Sequence, residues 1–222
     1  MGEMFLTTPE IIFLRNMSKA LDYLIEVRGE AILPYFKFLK EAGKHLDVKT
    51  RDLISVITKV DKQTEKGLKQ YLNRALQNGC SADEIIDALL IAFPTLGLTK
   101  IIWAVEIILA MDIPDFTPAM LGQKPRWNEI GPAGDFKDGV TFKSSGARNL
   151  IIYRSGDSFK VYDSRCPHRA EDIKEDALNG LTLTCPRHKW AFDITTGLNR
   201  ENGQSLRTFE TRVETGVLSA YW

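Results

Sequence analysis

Two short loops carry the residue types that could do chemistry. The first reads Cys166-Pro167-His168 and the second Cys185-Pro186-Arg187-His188, with sixteen residues between His168 and Cys185. Each loop delivers one thiol and one imidazole from a bend stiffened by proline, so the two side chains of a loop can converge on one point. Such a pair of Cys-His pairs reads as a metal site. A two-iron cluster with mixed ligands needs two thiolates and two neutral imidazoles. A structural zinc could use the same four side chains, although zinc modules usually space their ligands as C-x(2-4)-C and H-x(3-5)-H. Two buried Cys-His pairs without metal are the third reading.

The order C-x-H, spacer, C-x-x-H resembles the Rieske-type 2Fe-2S proteins. The residues that carry the resemblance are Cys166, His168, Cys185 and His188, within CPHRA and CPRHKWAFDITTG, including Phe192-Asp193 and the turn at Gly197. The resemblance implies one 2Fe-2S cluster per chain, with the cysteines on one iron and the histidines on the other. Each imidazole would bind through one ring nitrogen and leave its other edge for solvent or a partner, the expected electron exit. In the high-potential members of cytochrome bc complexes a disulfide ties the two loops, and a Ser and a Tyr hydroxyl donate to the cluster. The matching positions here are Glu171 and Arg187, Trp190, and Phe192. The resemblance therefore implies a potential near the low end of a range of about −150 to +300 mV. An ion pair between Glu171 and Arg187 is expected in place of the disulfide, with two separately solvated charges as the alternative. Trp190 is either a lid over the cluster or a core residue.

Cysteine and histidine arithmetic narrows the function. There are three of each: Cys80, Cys166 and Cys185, and His45, His168 and His188. With two of each in the cluster, the single spare His cannot build the two-His-one-carboxylate iron site of a Rieske oxygenase. One spare Cys excludes a C-x-x-C thiol enzyme and a disulfide framework, as expected of a reducing cytoplasm. Cys80 is expected to pack as a small apolar side chain. Lys plus Arg equals Asp plus Glu at 29 each, so the zero net charge offers no electrostatic footprint for nucleic acid. The first nine residues lack the pattern of a signal peptide. Leu89 to Met111 is very apolar, but Pro94, Gly97, Lys100 and Glu106 interrupt it, which predicts buried helices rather than a membrane span.

The positioning elements fall into two groups. Thr8-Pro9-Glu10 reads as a helix start, and apolar residues at spacings of three and four follow to Ile25. Gly29 is expected to end that helix, with a second from Ile32 to Gly43. Further helices are predicted over Lys49 to Val60, Gln63 to Gln77, from a capping box at Ser81-Ala82-Asp83-Glu84 to a break at Pro94 and Gly97, and over Thr99 to Met111. The last is apolar nearly all round, as in a helix buried within a bundle or at a subunit contact. Residues 113–126 hold Pro114, Pro118, Gly122 and Pro125 without periodicity and read as a linker. Beyond Trp127, strands are predicted over Val140 to Lys143, Asn149 to Arg154, Phe159 to Tyr162, Leu181 to Thr184, Trp190 to Ile194, Thr208 to Val213 and Val217 to Trp222.

The helical half resembles the carboxymuconolactone decarboxylase and alkylhydroperoxidase D superfamily over about residues 30–112, through VKTRDLISVITKV and RALQNGCSADEIIDALLIAFPTLG. Active members place C-x-x-C with a downstream His where this chain reads Asp61-Lys62-Gln63-Thr64-Glu65-Lys66-Gly67-Leu68. That departure implies an oligomerisation or docking module rather than a catalytic one, and the resemblance implies a homo-oligomer. His45, near the C-terminal end of a helix, is expected to satisfy carbonyls there, and the carboxylates Asp61, Glu65 and Glu106 to be solvated or paired.

The expected fold is thus an all-α N-terminal bundle (1–112), a linker (113–126) and an all-β Rieske-type antiparallel domain (127–222). The expected function is one-electron transfer as a low-potential, cytoplasmic, ferredoxin-like component, with a reductase and an oxygenase or other acceptor as partners. No glycine-rich dinucleotide motif is present. A self-contained oxidoreductase with a small-molecule site around His45, Glu65 or Glu106 is the alternative, and a zinc-stabilised interaction protein a third.

Overall fold

A computed structural model of the chain describes residues 19–222, apart from Arg169, His188, Asn202 and the side chains of Lys19 and Lys40. The helix start at Thr8-Pro9 lies outside these residues. The helical part comprises α1 (Lys19–Ala42), α2 (Val48–Asp61), α3 (Glu65–Gln77), α4 (Ala82–Leu96) and α5 (Leu98–Ala110). The expected break in α1 falls at Arg28 (φ −147°, ψ 41°), one residue before Gly29.

Local chemistry sets the helix ends. The Asp47 carboxylate accepts from the Thr50 amide at 3.0 Å and caps α2. At α4 the capping box is reciprocal: Glu84 N–H donates to Ser81 Oγ at 3.0 Å, and Ser81 N–H donates to the Glu84 carboxylate at 2.7 Å. Pro94 does not end α4, contrary to the expectation from sequence. It forfeits one ladder bond, yet the Gly97 amide still donates to the Phe93 carbonyl at 2.9 Å and closes the final turn. The break falls at Gly97 alone, at φ 76°.

The helical core gathers Val56, Leu68, Leu72, Ile85, Leu89, Ile101 and Ile108. Among the described residues one face of α5 is buried, through Ile101, Ala104 and Ile108, while Ile102 and Leu109 are exposed. The segment after α5 is no free linker at its start. Pro114–Phe116 forms a 3-10 turn, and Ile113 and Phe116 join the helical core. No helix among the described residues is long and apolar enough to cross a membrane.

The β part holds a six-stranded antiparallel sheet, in the order β1 (Trp127–Pro132), β9 (Val217–Tyr221), β8 (Thr208–Glu214), β4 (Ser158–Asp163), β3 (Arg148–Ser155), β2 (Gly139–Ser145). A second sheet runs β5 (Leu178–Asn179), β6 (Thr182–Thr184), β7 (Ala191–Asp193). Strands β1 and β5 were not explicit in the sequence pattern. Side chains alternate across β3 and β4. Ile151 pairs with Tyr162 and faces the small sheet's Leu183 and Phe192, whereas Leu150, Ile152 and Val161 face Phe209 and Leu218 on the opposite side. Both faces of β3 are covered, which explains the unbroken apolar run Leu150-Ile151-Ile152.

Candidate metal centre

The two loops of interest leave the same apolar layer. The first follows β4, and the second joins β6 to β7. Their backbones fold alike. Cys166 N–H donates to the Glu171 carbonyl at 2.7 Å and Ala170 N–H to the Cys166 carbonyl at 2.9 Å; Cys185 N–H donates to the Trp190 carbonyl at 2.8 Å and Lys189 N–H to the Cys185 carbonyl at 2.9 Å. The fourth residue after each cysteine is left-handed, Ala170 at φ 57° and Lys189 at φ 58°. L residues reach that region at a cost of about 1–2 kcal/mol, so each loop carries strain that its hydrogen bonds hold in place. Neither position is glycine, and no sequence signal marked the turns.

Cys166 and Cys185 are 1% and 0% exposed, are not joined in a disulfide, and belong to one buried cluster with Ile151, Tyr162, Leu183 and Phe192. His168 is half-buried and its ring stacks on Trp190, with centroids 4.7 Å apart and planes at 19°. Trp190 also meets Phe192 edge-on at 6.5 Å, so it is a half-buried cover over the first loop that shares the core. The fourth candidate, His188, lies outside the described residues. Among those residues no three His, Cys, Asp or Glu side chains gather into a metal-holding group. Two buried thiols in an otherwise apolar layer, presented by twin bends beside an imidazole, nevertheless fit an iron-sulfur cluster by the chemistry of the donor set.

Two polar contacts fix the loops to each other and to the sheet. Arg187 Nε meets Glu171 Oε2 at 3.0 Å across the loops, so the expected ion pair is formed. Beneath the first loop, the Ser164 hydroxyl donates to Asp172, which also accepts from Asn149 Nδ2 at 3.0 Å. Gly197 (φ 75°) closes the turn after β7. A Cβ there would stand 2.7 Å from Cε1 of Tyr162, so that ring and that glycine are fitted to each other. Burial pushes the Tyr162 hydroxyl up to about 12.

The first loop also touches the helical half. Ala170 packs into the helical core, Arg165 Nη2 donates to the Asp112 carbonyl at 2.6 Å, and Gln77 Nε2 donates to the Ser205 carbonyl at 3.0 Å. Asp115 accepts from Arg148 at 2.9 Å and from Arg207 at 3.2 Å, and Arg148 reaches Asp163 at 3.3 Å. Burial pushes the Asp115 carboxyl up, but the Arg207 and Arg148 guanidiniums outweigh it and hold the group below its ordinary range. Sequence reading gave no role to these three residues, which lie far apart along the chain.

The remaining candidates do not converge. His45, in the turn after α1, and Glu65 and Glu106, on α3 and α5, are exposed. Glu65 pairs with Lys69 at 2.7 Å. Asp61 is bonded by Lys100 at 2.7 Å and by Lys62 at 3.0 Å, and Lys100 first, then Lys62, draw its carboxyl down to about 2. Cys80 is buried, directs its thiol to the Lys49 carbonyl at 3.7 Å, and is pushed up by burial, as befits a packing residue.

Comparison with known proteins places both halves. The Rieske [2Fe-2S] domain family matches residues 126–210, and the carboxymuconolactone decarboxylase family matches residues 29–110. Ferredoxin CarAc of Metapseudomonas resinovorans is 31% identical over 94 residues, 40% of this chain and 88% of that protein. The chloroplastic protein TIC 55 of Pisum sativum is 29% identical over 82 residues, 32% of this chain but only 15% of that protein. A chain in the reduced complex between oxygenase and ferredoxin in carbazole 1,9a-dioxygenase is 19% identical, with a TM-score of 0.37, and the match covers 43% of this chain and 28% of that one. The identity to CarAc across most of its length, together with the family match over the two-loop region, makes this chain a member of the Rieske 2Fe-2S family, carrying a 2Fe-2S cluster behind a carboxymuconolactone decarboxylase family domain.

Proposed function

We propose that the chain is a one-electron carrier of an oxygenase system, taking its electron from a flavin- or nicotinamide-dependent reductase and passing it to an oxygenase or another acceptor. Cys166 and Cys185 would hold one iron, and His168 and His188 the other. When bound, the cluster supplies one reversible electron. The observation that carries the reading is the pair of buried thiols on twin bends with His168 at the half-exposed edge. Similarity to a ferredoxin supports a carrier rather than a complete oxygenase.

The surroundings of the loops favour a low potential. The loops are joined by the Glu171–Arg187 ion pair rather than a covalent tie, and buried Phe192 has no hydroxyl to donate. Hydrogen bonds to the sulfurs raise a cluster's potential, and their loss lowers it. The half-exposed His168 edge would be the electron exit.

Residues 1–112, 113–126 and 127–222 are read as oligomerisation module, connector and redox domain. The protein is read as cytoplasmic and homo-oligomeric, and support for the oligomer comes from the helical surface. In α1 Ile25 is buried, while Tyr23, Leu24, Val27, Tyr35 and Phe38 are exposed, and Ile91 of α4 is 81% exposed. Apolar area of that kind is normally covered by a partner. Potentiometric titration of the purified protein tests the reading: a midpoint near or below about −100 mV is expected, and one above about +100 mV would overturn it.

A further inference from the structure

Between the helical and β halves runs a crevice of about 670 Å³, lined by residues of both. That volume is ordinary for a small-molecule site. One wall carries Arg148, which is 3% exposed. Its two Nη atoms are engaged by Asp115 and Asp163, but its buried Nε has no hydrogen-bond partner among the described residues. That nitrogen is sealed from solvent, so the guanidinium supplies positive charge behind the crevice wall. Lys124 and Arg126 also line the crevice, are exposed and enter no ion pair among the described residues. Together with Arg148 and Arg207 they set four cations against Asp83 and Asp115. Both carboxylates are already engaged, Asp83 by the Gly122 amide at 3.0 Å and Asp115 by the two arginines. The rest of the lining includes Trp222, Tyr221 and Met120, flat or flexible apolar surface.

We propose that this crevice binds a small organic anion consisting of a carboxylate on a flat apolar body. Lys124, Arg126 and Arg207 offer donors to the carboxylate, Arg148 adds positive charge behind the wall, and the Trp222 and Tyr221 side covers the body. Leu76 and Arg207 of the crevice also line the small cavity at Cys166 and Pro167, so a bound anion lies against the same side chains as the first loop. The site is independent of the electron-transfer reading, since it needs neither a redox partner nor a particular potential.

Calorimetric titration of the full-length holoprotein with benzoate, benzamide and inorganic phosphate tests the site. Benzoate should bind with one site per chain, benzamide at least about tenfold more weakly, a difference of roughly 1.4 kcal/mol, and phosphate not at all. Because Arg148→Gln would strand two carboxylates and can unfold the protein, the decisive variant is Ala147→Trp. Ala147 is exposed and lines the crevice. It should weaken benzoate at least about tenfold with an unchanged visible spectrum. No heat with benzoate, equal binding of benzoate and benzamide, binding of phosphate alone, or unimpaired binding by Ala147→Trp would each overturn the proposal.

Discussion

Arg187 Nε stands 3.0 Å from Glu171 Oε2, a salt bridge that joins the two loops holding the candidate cluster ligands. Arg187 is 70% exposed in that pair, so solvent screens most of its attraction. Glu171→Gln and Arg187→Gln should each cost less than about 1 kcal/mol in denaturant unfolding. The coupling energy of the double-mutant cycle should shrink between low and high salt. A coupling that is large and insensitive to salt would show that the pair is not screened as its exposure requires.

The left-handed residues Ala170 and Lys189 occupy equivalent places in the twin bends but should respond differently to glycine. Lys189 is exposed, so Lys189→Gly relieves strain without losing packing and should stabilise by about 0.5–1 kcal/mol. Ala170 is buried against the helical core, and losing its methyl forfeits roughly 0.8 kcal/mol of burial. Ala170→Gly should therefore be close to neutral. Thermal unfolding of the two holoprotein variants distinguishes them.

Gly197→Ala meets two obstacles, the positive φ of 75° and the Tyr162 ring 2.7 Å from the new Cβ. Strain and overpacking together should cost at least about 2 kcal/mol. The double variant Gly197→Ala with Tyr162→Leu should recover part of that loss if the ring is the obstacle. Equal instability of single and double variants would place the cost in the backbone alone.

Asp115 gives the contact between the halves a pH dependence. Its carboxyl is held below the ordinary 3.8 in the folded protein, so its contribution is fully present above that value and is lost as pH falls through the folded value. Asp115→Asn should cost about 3 kcal/mol at neutral pH. The gap between wild type and variant should narrow as the pH is lowered below about 3.8. A gap that stays constant would mean that the carboxylate's charge is not what the two arginines use.

Periodicity made the helices and most strands legible because each buries one regular face; α4 showed its start through Ser81 and Glu84. The loop chemistry was legible too, since Cys and His at fixed spacing have few other uses. Gly197 marked a turn, but its fit to Tyr162 depends on a ring 35 residues away in sequence. Long-range pairing hid the rest. Asp115, Arg148, Asp163 and Arg207 look like ordinary surface charges until the fold brings them together. Ala170 and Lys189 adopt a glycine-like conformation that their side chains do not announce. Proline at 94 misled because one missing ladder bond near a helix end does not stop the helix.

The most direct test of the central claim is an EPR spectrum of the dithionite-reduced protein, with iron and acid-labile sulfide quantified, for wild type and Cys185→Ser. A Rieske signal with about two irons per chain, abolished in the variant, is the predicted result. A colourless protein with stoichiometric zinc, or an unchanged signal in Cys185→Ser, would contradict it.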